Sequence, residues 1–143
     1  RLVSRGLGDV YKRQGLGEAL CVAKKNKIDL GLTYKAIKIS SGNSFVNETE
    51  TQVILAGSYD VGFTMDLVNK DINLFNKLGK NIKLELGNYL SKKFKLGMKN
   101  LGERSFSTSI IKLIEKDAKI KLRAKNFPKQ LIDKQKKQKG VEV

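Results

Sequence analysis

The chain has 143 residues, 40% of them hydrophobic, which suits one domain with a modest core and leaves no room for a second large one. It contains no histidine and one cysteine, which excludes a zinc centre, Ser-His-Asp chemistry and an intrachain disulfide, and no window approaches the ~20 apolar residues of a membrane-spanning helix. A net charge of +15 is compatible with binding nucleic acid or an acidic partner, but the basic residues are mostly lysine and scattered over the whole chain, as on a solvated surface.

Taken in order, residues 1–14 read as foreign to the native chain. Ser4 to Gln14 resembles the in-frame translation of a transposon-end adapter used in sequencing libraries, and the stretch lacks the apolar core of a signal peptide. Four basic residues less Asp9 account for +3 of the charge, so residues 15–143 carry +12. A first helix is expected from Leu16 to Lys25, with Cys21 on its apolar face as a small core residue. A lone cysteine suits a reducing compartment, hence the cytoplasm.

A second helix is expected from Thr33 to Ile39, with Thr33 as its cap and Tyr34 and Ile37 inward. After the turn Ser40-Ser-Gly-Asn, a third begins near Asn43 and ends at Gly57; its polar centre, Asn47 to Thr51, makes it the weakest of the set. The fourth occupies residues 63–79. Met65, Val68, Ile72 and Phe75 recur at helical spacing, and Leu67, Leu74 and Leu78 widen the stripe. A fifth, Ile82 to Leu96, presents Leu86, Tyr89, Leu90 and Phe94 on one side, and a sixth spans Ser105 to Lys116. No segment alternates as a strand would. Pro128 marks the exit from ordered structure, and residues 126–143 read as a basic, mobile tail whose lysines are more simply solvated than bound to anions.

The adjacent Lys70 and Asp71 stand at the edge of the fourth stripe. Spacing alone favours a bland role, with Lys70 laying its methylenes along the packed surface and Asp71 in water. However, Gly57-Ser-Tyr-Asp-Val-Gly-Phe63 followed by Lys70-Asp71-Ile-Asn-Leu resembles the G-x-[FY]-x-x-G-F…K-D-[LI]-x-L signature of the 3-hydroxyisobutyrate dehydrogenase family, the β-hydroxyacid dehydrogenases. Gly17-Glu-Ala-Leu20 with Lys27-Ile-Asp29 resembles the family's E-A-L-x-L-A…G-[IL]-D segment, and Ser41-Gly-Asn-Ser44 its S-x-G-x-S turn. The match runs in order over roughly residues 15–110.

The resemblance implies an all-α bundle of about six helices over residues 15–125, like the C-terminal domain of 6-phosphogluconate and 3-hydroxyisobutyrate dehydrogenases. It implies a parent enzyme that oxidises a small 3-hydroxyacid with NAD or NADP and is a homodimer. Lys70 and Asp71 would contact the cofactor, and Phe63, Ser41 and Gly42, with Ser44, would edge the substrate pocket. The family's catalytic lysine lies about four helical turns before the E-A-L residues, and counting back from Glu18 lands within residues 1–14. Lys12 is too close to fill that register, so no catalytic residue is assigned. Gly6-Leu-Gly8 and Gly15-Leu-Gly17 both lack the third glycine of a dinucleotide turn. The chain therefore reads as a C-terminal domain without its Rossmann partner, inactive alone and prone to self-association through the uncovered face. Ile72-Asn73 and Phe75, where family members commonly have Gly or Leu-Ala, bear on the substrate more than on the reaction. The other reading is a basic helical module for nucleic acid or an acidic partner, but it lacks the interleaved aromatic and basic residues of a stacking surface.

Overall fold

Six α-helices and one 3₁₀ turn make up the regular structure of residues 2–134, which the computed structural model describes, with side chains described from Gly8 onward. The first helix, α1 (Leu2–Lys25), starts well before the expected Leu16. Its buried positions Val10, Arg13, Gln14, Gly17, Leu20 and Cys21 recur every three or four residues, so one stripe runs on through residues 10–14. Two polar residues in that stripe conceal it from a count of apolar positions. Helix α1 is central and touches each of the other five helices. A Cβ on Gly17 would fall 2.5 Å from Ile111 Cδ1, so glycine permits this close approach.

Helix α2 (Leu30–Lys38) begins earlier than expected because Asp29 caps it, its carboxylate accepting the Leu32 N–H at 2.7 Å. Thr33 is not the cap; its hydroxyl donates to the Asp29 carbonyl at 2.8 Å. Helix α3 (Phe45–Ala56) is capped by Ser44, whose Oγ accepts the Asn47 N–H at 3.2 Å. It stops at Gly57, where φ is +82°. The polar centre is fully helical, with Asn47, Thr49, Glu50 and Thr51 all buried. Ser44→Ala should cost about 1 kcal/mol, seen as a lower urea midpoint at an unchanged slope.

Helix α4 (Met65–Leu78) buries Met65, Val68 and Ile72 and half-buries Leu67 and Phe75. Leu74 and Leu78 do not widen the buried stripe; they are 43% and 73% exposed, Leu74 because two residues beyond Ile72 lies the far side of the helix, and Leu78 because no partner helix among the described residues covers it at the end of α4. Helix α5 (Glu85–Leu101) packs on α4 as a hairpin and runs past the expected Leu96 to stop at Gly102. Leu90 and Phe94 are buried as expected, whereas Leu86 and Tyr89 face solvent. The expected sixth helix is split into a 3₁₀ turn, Ser107–Ile110, and α6 (Ile111–Asp117).

The fold is all-α. Among the described residues, strand-like pairing is limited to isolated bridges joining Asp60 to Gln130 and Thr64 to Phe106. No helix is long and apolar enough to cross a membrane, and no group of three metal-ligating side chains occurs, among the same residues. Residues 118–134 form no helix, yet Leu122 is fully buried and Phe127 packs edge-on against Tyr34 with ring centroids 5.3 Å apart. Tertiary contacts thus continue past Pro128, at least to Leu131. The rest of the expected tail, 135–143, lies outside the described residues.

Candidate functional site

The entrance of α4 is pinned by backbone exchange and not by a side-chain cap. The Met65 and Asp66 N–H groups donate to the carbonyls of Ser105 (2.9 Å) and Glu103 (3.1 Å), and the Ser107 N–H donates back to the Phe63 carbonyl (2.8 Å). These bonds satisfy N–H groups that a helix start leaves open and set Phe63 beside the 3₁₀ turn. Asp66 adds a side-chain clasp. The Thr64 hydroxyl, then Arg104 at 3.0 Å and the Leu67 N–H, hold its carboxyl below the usual carboxylate range. That clasp is complete above the ordinary carboxylate pKa and is lost as pH falls through the lowered one.

Beneath Phe63 is a cavity of about 220 Å³. Val10 and Arg13 of α1, Phe45 and Glu50 of α3, Val61 and Phe63 of the loop before α4, and Val68, Asp71 and Ile72 of α4 line it. Asp9, Ser107 and Leu131 complete the wall, so its parts come from nearly the whole length of the chain. Its size suits a small molecule of a few carbons; a dinucleotide would have to lie mostly outside.

The walls are largely apolar, with Arg13 and the carboxylates of Asp9, Glu50 and Asp71 set into them. Arg13 grips Glu50 bidentately, at 2.5 and 2.8 Å, with side chains only 5% and 9% exposed. Burial lowers the Arg13 pKa, but the charge and hydrogen bonds of Glu50 outweigh it, and the net direction is upward. Arg13 Nη1 and Ser107 Oγ are buried with no hydrogen-bond partner, so polar capacity remains at the cavity.

Of the residues singled out by sequence, Phe63 and Asp71 line this cavity and Lys70 adjoins it. Successive helical residues diverge by about 100°, so Asp71 turns inward while Lys70 stays 69% exposed, its ammonium 3.5 Å from the Asp71 carboxylate. Ser41 and Gly42 lie apart, in an exposed turn where the Gly42 N–H donates to Ser40 Oγ at 3.2 Å. That region reaches the cavity through Phe45 instead. Cys21 is buried, and burial, with Glu115 and Glu18, pushes its thiol up, so it is a core group and a poor nucleophile.

Glu50 was not singled out from sequence. Its spacing from Val46, Val53 and Ile54 already placed it on the buried face of α3, and a carboxylate there calls for a partner.

A family model described as NAD-binding of NADP-dependent 3-hydroxyisobutyrate dehydrogenase matches residues 10–114. That match begins inside the segment read from sequence as foreign. Among solved structures, the chain is similar to 3-hydroxyisobutyrate dehydrogenase (ygbJ) from Salmonella typhimurium, with 21% identity and a TM-score of 0.70 over 78% of this chain and 40% of that one. It is likewise similar to the Mycobacterium tuberculosis 3-hydroxyisobutyrate dehydrogenase described with L-serine, at 17% identity and a TM-score of 0.70 over 78% of this chain and 41% of that one. At such identities the likeness is one of fold. The chain thus spans well under half the length of either. No curated protein sequence matches it significantly.

Proposed function

Because the chain belongs to the family described as NAD-binding of NADP-dependent 3-hydroxyisobutyrate dehydrogenase, we propose that it supplies one wall of the cofactor and substrate cleft in an NAD(P)-dependent oxidoreductase acting on a small 3-hydroxyacid. The observation that carries this reading is the division of labour on α4, with the inward Asp71 and the outward Lys70 side by side at the mouth of a cavity sized for a small acid.

When bound, the nicotinamide carries out hydride exchange with the hydroxyl-bearing carbon; the protein supplies placement and exclusion of water. Lys70 fits the cofactor role, because its one close carboxylate is 3.5 Å away and the exposed ammonium keeps donors to offer an anionic or amide group. Asp71 orients that ammonium and neutralises part of its charge. Phe63, 37% exposed over the cavity, shields the reacting carbon from water, with Phe45 facing it from α3. Ser107 offers a hydroxyl inside the cavity. These residues lie in the part of the chain that carries the resemblance. Arg13 is committed to Glu50, and Ser41 and Gly42 lie away from the cavity in an exposed turn. None of the residues at this cavity is placed as the proton acceptor, so the chain alone should not turn over substrate.

Joining the chain to a nucleotide-binding domain of the same family should restore NAD(P)-dependent oxidation of a 3-hydroxyacid. In that fusion Lys70→Ala should weaken cofactor binding about tenfold to a hundredfold, the value of one hydrogen bond to a charged group. An active fusion in which Lys70→Ala leaves cofactor affinity unchanged would remove Lys70 from the site. The exposed Leu86, Tyr89 and Leu96 of α5 support association of the parent with a second copy, which sedimentation of the fusion would test.

A further inference from the structure

We infer that Glu115 is a positioning residue that, from outside the cavity, holds two of its walls in register directly and a third through Tyr59. Its carboxylate is 2% exposed and accepts from three donors: the Tyr59 hydroxyl at 2.6 Å, the Leu122 N–H at 2.7 Å and Arg123 Nη1 at 3.0 Å. Each donor belongs to a segment that reaches the cavity. Tyr59 lies two and four residues before Val61 and Phe63; Leu122 and Arg123 lie in the non-helical run that carries Leu131; and Thr108, beside Ser107, donates its hydroxyl to the Tyr59 carbonyl.

Tyr59 needs such an anchor. It sits at φ +57°, in the left-handed region, which is sterically unfavourable for an L-residue with a Cβ. The conformation holds because the surroundings over-determine it. The Tyr59 N–H donates to the Val53 carbonyl at 3.1 Å, and Lys112 and Arg123 stand 4.6 and 5.1 Å from its ring. The Ala124 N–H donates to the Leu55 carbonyl at 3.1 Å, closing the non-helical run onto α3. The side chain of Arg123 packs over Gly57, where a Cβ would fall 2.4 Å from its Nε. Remove the Tyr59 hydroxyl and the loop Gly57–Thr64 keeps its backbone bonds but loses its link to Glu115. Phe63 is then held from its C-terminal side alone, through the bond from the Ser107 N–H to its carbonyl, and its ring is less firmly fixed over the cavity.

The role assigned to Phe63 as a pocket wall rests on the proposed function, but the test does not. The chain has no tryptophan, so Phe63→Trp installs a unique fluorophore at the mouth of the cavity. In that background Tyr59→Phe, and separately Arg123→Gln at a half-exposed position, should leave the far-ultraviolet dichroism unchanged while the tryptophan emission shifts to the red and acrylamide quenching rises. Tyr34→Phe, whose hydroxyl contacts only the Glu48 carbonyl at 3.5 Å, should change neither. Tryptophan emission and quenching unaltered in either folded variant would overturn the inference, even if thermal stability fell. No cofactor or substrate enters the measurement, so an inactive fusion would refute the dehydrogenase reading and leave this result standing.

Discussion

Replacing Glu50 by alanine should cost the chain about 3–5 kcal/mol, the usual penalty for removing one partner of a buried ion pair. Arg13 is the reason. Its guanidinium is 5% exposed and two of its nitrogens are committed to Glu50, while Nη1 already lacks a partner. Without that carboxylate the buried guanidinium loses both of its hydrogen bonds and keeps only the weaker attraction of Asp9. Removing both charges should behave differently. The double variant Arg13→Met with Glu50→Leu fills similar volume without desolvating an ion and should be near neutral or even more stable than the parent. Urea unfolding of the single and double variants gives the coupling directly. Equal losses for the double and the single would show that the pair is not what holds this site together.

Phe94→Ala should be of similar size, about 3–5 kcal/mol, for a different physical reason. Phe94 is 1% exposed on α5, one turn before Gly97, where a Cβ would fall 2.5 Å from Ile110 Cδ1 and 3.1 Å from Met65 Sδ. The helices are so close there that they cannot move further together to refill the lost volume, so the cavity penalty should be felt nearly in full. Domains of this kind have only about 5–15 kcal/mol in total, so the variant should be marginal at room temperature. Leu74→Ala on the adjoining helix provides the contrast. At 43% exposure it should change stability by no more than about 0.5 kcal/mol. Denaturant midpoints of the two variants that differ little would mean that α5 is not buried as described.

The helical class, the order of the six helices and the stops at Gly57 and Gly79 were legible in the residues, because caps, glycines and the 3.6-residue period act within a few positions of one another. The Lys70-Asp71 pair could be singled out by motif, and Ile72, Leu90 and Phe94 by period. The period could not say how wide each buried stripe would be. Leu78, Leu86 and Tyr89 are as apolar as their buried neighbours, and only the arrangement of the partner helices left them in water.

What tertiary structure alone decided is which polar groups meet. Arg13 finds Glu50 across 37 residues and Tyr59 finds Glu115 across 56, and nothing in local spacing encodes either meeting. Phe45, Ser107 and Leu131 likewise converge on one cavity from three distant segments. The amino-acid sequence by itself determined the helices and the family signature, since both are written in near-neighbour order. The site depended on the fold, because a buried charge is stabilised by whatever packing brings beside it, however far away along the chain.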